Sequence, residues 1–528
     1  MKNKNSSKIL VALATAFIIV IGALSGYFLV SSVKNGSPLL SENNEDKSTD
    51  LDEDSDDTKN NNDDAQNKDD DASKEESRRE ENYTGPTICQ VDQYIYNSDG
   101  KIIKDFHDGE RYYLEMTVNA DASEAILVYN NICYYIDADL NMTEIATDVT
   151  DAGICFDGGY CYYVAGEEGS QKEELFIYDI WNQTKESLYI GNVVSVAISP
   201  NGRTAAISAY GGNEKICIVG LDLEKSSYDA DDRTGVVAVS NDGSIVYFNQ
   251  YGGSKDFFKC IDHGKEITLS NDYLLETYYT KKCDQIMYMD DDGVKYYKAG
   301  NGEPTILTSD TEELYFDIAG GKKMPISFFT DHYILDTNSF SDALMMHSFD
   351  DCYAFSGLVP EMVCLTSGNE KARNFSTAIT DNGPTCIGTS GGDLVKFTYD
   401  GKDITETLLC SSDESSPAYA ANRTLDKIWF IMDNDVYYVP EGKDPVLVAD
   451  QGQMSNYKIM WDPFSDKCYY VKDNMYLCRV GTDGTDDETI YSSCKYLTFT
   501  TGEDHLIGFY DLDGKKYIVI GDEIIEDD

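Results

Sequence analysis

Basic residues are scarce: 42 Lys and Arg stand against 95 Asp and Glu over 528 residues, a formal net charge of −53. Phosphate recognition needs a basic face, so this balance argues against nucleic acid and anionic membrane surfaces as partners. Proline is also scarce, at 11 residues, whereas Tyr occurs 39 times and Gly 41. Such a balance describes strands joined by glycine turns rather than a disordered chain. No Cys-x-x-Cys pair occurs among the 14 cysteines, which argues against a zinc site. The five histidines, His107, His263, His332, His347 and His505, form no short-spaced pair and read as solvated surface residues rather than metal ligands. Amphipathic helical periodicity is missing as well. Residues 83–528 alternate short β-rich runs with Gly, Asp and Asn turns, the pattern of an all-β chain.

One long uncharged run is present. Ile9 to Val30 is 22 residues without a charge, and at 1.5 Å per helical residue it spans about 33 Å, enough to cross a bilayer. It is longer than the core of a cleavable signal peptide, and no small-x-small triplet of good quality closes it. It therefore reads as a transmembrane signal anchor over 9–30. Lys2, Lys4 and Lys8 precede it and acidic residues follow, so residues 1–8 are expected in the cytoplasm and the rest outside the cell membrane. Residues 41–82 hold 18 acids and 6 bases with almost nothing apolar, so 31–84 is expected to be a disordered, self-repelling acidic linker. Setting aside the four lysines of 1–40 and the linker's own balance leaves −45 on residues 83–528. The expected folded domain, 85–528, is thus strongly acidic in its own right.

Self-similarity sets the organisation of that domain. "AISPNGRTAAISAYGGNEKICIVGLD" begins at Ala197 and "AVSNDGSIVYFNQYGGSKDFFKCID" at Ala238, with Gly202 and Gly243 41 residues apart. A third copy, "AITDNGPTCIGTSGGDLVKFTYDGK", begins at Ala378. Each reads as strand, turn, strand, Gly-Gly loop and strand. Turns of the first kind recur near 122, 158, 202, 243, 284, 331, 383, 426, 466 and 504, close to the 40–45-residue period of a four-stranded propeller blade.

The stretch with Ser199, Pro200, Asn201, Gly202 and Arg203 in its turn resembles the TolB-type β-propeller repeat, and the segment from Cys468 resembles a looser bacterial surface-propeller repeat. The resemblance implies a β-propeller of four-stranded blades, and implies little about activity, since such repeats serve many roles. About eight blades in one ring are expected, within a range of seven to ten, with the segment 88–106 helping to close it; closure removes exposed strand edges. Seven Tyr-Tyr pairs, at 112–113, 134–135, 162–163, 278–279, 296–297, 437–438 and 469–470, fall in these strands. Adjacent strand residues face opposite sides, so each pair is expected to give one ring to either neighbouring blade.

Few residues carry chemistry. Gly388 to Gly392 reads GTSGG, matching the Gly-x-Ser-x-Gly nucleophile pattern, but Ser390 falls in a hairpin loop and not at a strand-to-helix turn. The acidic turns 289–293 and 511–514 admit calcium, although neither has EF-hand spacing, and no other cofactor is implied. Most cysteines lie singly in strands and read as small buried hydrophobes, with bridges between Cys155 and Cys161 or Cys468 and Cys478 left open. No catalytic residue is assigned.

The loops joining the second strand to the third open on the face that usually carries a propeller's ligand mouth. They contain Tyr210, Asn213, Tyr251, Ser254, Ser390 and Asp393, which are the candidate ligand-binding residues. The expected role is a membrane-anchored, extracytoplasmic module that binds a protein, peptide or glycan without catalysis. The alternative is a propeller-borne glycosidase or lyase acting on surface or wall polymers through paired carboxylates.

Overall fold

The structure is a computed structural model that describes residues 85–527, apart from 108–113, 168, 211–213, 231–232, 253–254, 273, 275, 310–313, 319–331, 336–338, 349, 358–359, 370, 412–416, 441, 451–457 and 500–505. The expected cytoplasmic, membrane-spanning and linker segments over 1–84 lie outside the described residues. Among the described residues no helix is long and apolar enough to cross a membrane.

Among the described residues, eleven β-sheets follow one another along the chain. In chain order they occupy 88–105, 114–147, 149–190, 192–229, 233–270, 276–308 with 332–335, 315–364, 372–411, 419–450, 459–491 and 494–527, and are numbered sheets 1 to 11 here. Nine have four strands, sheet 1 has three and sheet 6 has five. Within each sheet the strands pair antiparallel in sequence order, so every unit is a meander. The exception is His332–Leu335, which comes from the stretch joining the first two strands of sheet 7 and pairs parallel with Glu276–Thr280 of sheet 6.

The marked turns fall where they were expected, between the first and second strands of sheets 2 to 11. Positions 331 and 504 lie outside the described residues, within the stretches joining the corresponding strands of sheets 7 and 11. The irregular region 315–364 forms a sheet of its own, and 88–105 forms a three-stranded sheet besides the ten units marked by turns.

One device recurs in these turns. The Ser199 hydroxyl accepts the Thr204 amide at 3.0 Å, and the Ser240 hydroxyl accepts that of Ile245 at 3.0 Å. The side-chain oxygens of Asn119 and Asn422 do the same for Glu124 and Lys427, each at 3.0 Å. A short polar side chain five residues ahead thus closes the turn locally. At Gly202, φ is +75° and a Cβ would overlap that of Tyr160 in sheet 3, so glycine is needed for both the turn and the close approach of the sheets.

Burial grades across each meander. Second strands are sealed, as in Gln285–Asp290, all six residues of which are buried. Fourth strands, such as Leu223–Asp229 and Ile404–Ser411, are largely exposed. First strands of neighbouring sheets touch: the Val236 amide donates to Ser195 Oγ at 2.9 Å and the Ile154 amide to Thr117 Oγ1 at 3.0 Å. First strands therefore converge and fourth strands splay.

Each sheet has two apolar faces, and each face packs on a different neighbour. Cys133 of sheet 2 meets Cys161 of sheet 3, Val236 of sheet 5 meets Ile216 of sheet 4, and Trp429 of sheet 9 meets Tyr470 of sheet 10. Ile88 and Ile95 of sheet 1 pack on Leu127 and Ile136 of sheet 2, while Cys89, Val91 and Tyr96 pack on Leu506, Ile518 and Ile520 of sheet 11. Sheet 1 therefore joins the two ends of the series, the closing role expected of 88–106. Four-stranded meanders packed face to face in a closed series are the arrangement of a β-propeller.

The Tyr-Tyr pairs behave as strand alternation requires. Tyr134 and Tyr135, Tyr162 and Tyr163, Tyr278 and Tyr279, Tyr296 and Tyr297, Tyr437 and Tyr438, and Tyr469 and Tyr470 each divide between the apolar clusters on opposite faces of their sheet. The pair 112–113 lies outside the described residues.

All fourteen cysteines are free, and all but Cys364 are buried. Cys161 lies opposite Ile154 while the Cys155 amide bonds the Tyr160 carbonyl; Cys478 lies opposite Tyr470 while Cys468 faces Val480. Neither open bridge has its partners across from one another. Burial pushes the thiols of Cys133 and Cys494 up to about 12 and that of Cys410 up to about 11, so the reactive thiolate is suppressed. Mass spectrometry after iodoacetamide treatment at pH 8 is expected to find these cysteines unmodified in the folded chain and labelled after denaturation. Labelling of the buried set without unfolding would contradict this packing.

Candidate functional site

Tyr210 ends the second strand of sheet 4, Thr204–Tyr210, and Tyr251 sits near the end of the second strand of sheet 5, Ile245–Gly252. Both occupy the hairpins between second and third strands, as expected, and both are exposed, at 49% and 41%. The two sheets are adjacent, and their shared seam is sewn just below the tyrosines: Ser208 Oγ lies 2.7 Å from Thr234 Oγ1 and 2.8 Å from the Thr234 carbonyl. Tyr210 follows Ser208 by two residues, and Arg233, next to Thr234, lies directly across from Tyr251. Tyr210 therefore lies above the seam of sheets 4 and 5, while Arg233 and Tyr251, one residue on from Thr234 and Gln250, lie on the opposite face of sheet 5 at the same end.

Neighbouring groups hold this region in place. Gln171 Nε2 of sheet 3's hairpin donates to the Tyr210 carbonyl at 3.0 Å. The buried Glu173 carboxylate accepts the amides of Gly169 at 2.9 Å and Val193 at 2.8 Å, which fixes that hairpin to the start of sheet 4. Ile190 and Val194 add exposed apolar surface beside Tyr210's strand.

The other candidates divide. Asn213 and Ser254 lie outside the described residues. Ser390 and Asp393 flank the two-residue turn Gly391-Gly392 of sheet 8, three sheets on from Tyr251. The Ser390 hydroxyl donates to Asn369 Oδ1 at 2.8 Å, and Asp393 accepts the Ser411 hydroxyl at 2.6 Å. They share the face of Tyr210 and Tyr251 but not the seam. The setting of Ser390, in a hairpin between two strands, lacks the strand-to-helix turn of a nucleophile elbow.

Two acidic turns considered for calcium are engaged within the protein. In the first, Asp290 is fully buried and Lys295 Nζ lies 2.7 Å from it and 3.3 Å from Asp292. In the second, Asp511 Oδ1 accepts the amides of Asp513 at 2.9 Å and Lys515 at 2.8 Å.

A second constellation was not foreseen from the sequence. Asp151, on the first strand of sheet 3, accepts the Tyr162 hydroxyl at 3.2 Å. Burial first, and then the negative charge of Glu115, raise the Asp151 carboxyl to about 7. Glu115 is exposed on the first strand of sheet 2, two residues before the Thr117 hydroxyl that bonds Ile154. The Tyr162 ring rests against Gly153, where a Cβ would come within 2.8 Å of Cε1. A carboxyl that keeps its proton toward neutrality can act as a proton donor. Arg233 was likewise missed. The signal for it was its position across from Tyr251, which becomes readable once the register is known.

No protein family matches the chain, and no curated protein matches it by sequence. Solved structures similar to it are β-propeller proteins. The β-propeller domain of the Trilobed protease from Pyrococcus furiosus is 9% identical with a TM-score of 0.30, covering 65% of this chain and 99% of that one. The Niastella koreensis GH74 enzyme is 12% identical with a TM-score of 0.34, covering 84% and 77%. A protein described as a TolB from Agrobacterium tumefaciens is 14% identical with a TM-score of 0.29, covering 39% and 82%. At these values the likeness carries no functional inference; the fold rests on sheet order and packing.

Asp151 generates a pH test. Its carboxyl holds a proton in the folded state up to about 7, whereas an unfolded chain releases it near 4. The folded state therefore binds more protons between those values, and this group's contribution to stability falls as pH rises through that window. Urea unfolding of Asp151→Asn and the unsubstituted chain is expected to show the variant gaining relative stability from about pH 4 to about pH 7, with no further change above about pH 8. A constant difference across that range would show that Asp151 is ionised throughout.

Proposed function

We propose that the chain is a membrane-anchored, extracytoplasmic binding module, held by residues 9–30 and presenting one eleven-bladed propeller ring on the acidic linker 31–84. In this reading the module binds a peptide, protein or glycan without chemical change, on the face that carries Tyr210 and Tyr251. The observation behind it is the exposure of both rings at the same end of adjoining sheets. Large apolar side chains elsewhere in these second strands are buried, so two exposed rings at one end of the sheets leave a surface suited to a flat or apolar ligand.

The test is a double substitution, Tyr210→Ala with Tyr251→Ala, compared with the unsubstituted chain on glycan and peptide arrays. Each aromatic contact is worth roughly 0.5–1.5 kcal/mol beyond area, so affinity for the captured ligand is expected to fall at least about fivefold. The melting temperature is expected to move by no more than about 2 °C, since both rings are exposed. Unchanged affinity, or unfolding of the variant, would place the mouth elsewhere.

A second reading, a propeller-borne glycosidase or lyase, draws on Asp151, whose proton affinity is raised by burial and by the nearby Glu115. Turnover of any polysaccharide in a reducing-end assay, abolished in Asp151→Asn, would favour that reading over the first.

A further inference from the structure

Arg233 is an anomaly in this protein. Three other described arginines, Arg203, Arg373 and Arg479, each hold a carboxylate: Asp222 at 2.6 Å, Asp350 at 2.7 Å, and Glu488 at 2.9 Å with Asp522 at 3.0 Å. The guanidinium of Arg233 is exposed and makes no hydrogen bond or ion pair with any described residue. In a chain with 95 acids to 42 bases, internal carboxylates are abundant, so an arginine that pairs with none of the described ones, across the ladder from Tyr251, stands ready for a carboxylate from outside.

The setting of Tyr251 narrows the ligand class. A Cβ at Gly235, on the first strand of the same sheet, would lie 3.6 Å from both Cε2 and the hydroxyl of Tyr251. The ring therefore rests on bare backbone, supported by a residue without a side chain, while 41% of the residue stays open to solvent. A half-exposed aromatic ring backed by bare backbone is a platform for the flat face of a sugar ring. The arginine directly across from it in the ladder adds a planar fork for a carboxylate.

We propose that Arg233 and Tyr251 form a subsite for an acidic sugar, with a pyranose stacked on Tyr251 and its carboxylate on the Arg233 guanidinium. The proposal rests on the binding-face reading above and deepens it. The surrounding charge sets a further condition. Residues 83–528 carry −45, with Asp231 and Asp232 next to Arg233 in the chain, so a densely charged polyanion is repelled. Charges farther than about 8 Å are screened at physiological salt, which leaves a single local carboxylate acceptable. The ligand is therefore a saccharide whose acidic units are separated by neutral ones.

The test uses the full-length chain and a hexasaccharide of alternating glucuronate and N-acetylglucosamine, alongside the same hexasaccharide with its carboxylates reduced to alcohols. A charge-assisted hydrogen bond is worth enough that the acid form is expected to bind at least about tenfold more tightly than the reduced form. In Arg233→Gln the two forms are expected to bind equally, with an unchanged melting temperature because no internal partner is lost. Polygalacturonate, charged at every sugar, is expected to bind more weakly than the alternating hexasaccharide. Equal binding of acid and reduced forms to the unsubstituted chain, or a preference that survives Arg233→Gln, would overturn the acidic-sugar subsite. If both forms bind and both are lost in the double tyrosine variant, the binding face stands and only the carboxylate assignment falls. If neither form binds while the array captures a peptide, the acidic sugar is overturned and the binding face again stands.

Discussion

A four-stranded meander with two apolar faces is unstable alone, because burying one face on a neighbour leaves the other in water. Each of these sheets meets that constraint by packing on two neighbours, and a linear series would leave two faces open at its ends. The open faces here are those of sheets 2 and 11, carrying Leu127 and Ile136 at one end and Leu506, Ile518 and Ile520 at the other. Sheet 1 covers both. The rest of the architecture depends on that seam: without it, the packing of every other sheet still ends in exposed hydrophobic surface.

Closure also explains where chemistry resides. Face-to-face packing consumes the second and third strands, and solvent receives the fourth. What remains available are the converging first strands and the hairpins at the ends of each sheet. Both constellations of interest lie there. Asp151 and Glu115 occupy first strands of adjoining sheets, where Tyr162 rests on Gly153. Tyr210, Arg233 and Tyr251 occupy strand ends of adjoining sheets, where Gly235 lets the Tyr251 ring lie against backbone. In both places a glycine on a first strand makes room for a tyrosine from the second, the sheet equivalent of an aromatic ring covering a glycine.

Local features were legible in the sequence. The Gly202 and Gly243 turns, the strand alternation that divides Tyr278 from Tyr279, and the placement of Tyr210 and Tyr251 in second hairpins are short-range consequences of turn chemistry and the two-residue period of a strand. The ring size was not legible. It depends on the angle between neighbours, which is set by side-chain volumes across each seam, such as Trp429 against Tyr470, and no single repeat contains that information. The fifth strand of sheet 6 was hidden for the same reason, since His332–Leu335 pairs with residues more than fifty positions earlier. Arg233 and Asp151 draw their character from partners across or between strands, so their residue types alone carried no signal.

The closing seam is also where the account is most exposed to test. The turn of sheet 1 at Gly100 meets the turn of sheet 11 at Gly521, and a Cβ at Gly100 would overlap the backbone of Gly521. Hydrogen–deuterium exchange on Gly100→Val addresses closure directly, because the two sides of the contact lie at opposite ends of the described chain. If sheet 1 closes the series, amide protection is expected to fall both in 88–97 and in 516–520. Loss of protection confined to 88–105, with 516–520 unchanged, would contradict closure and leave the series of sheets open.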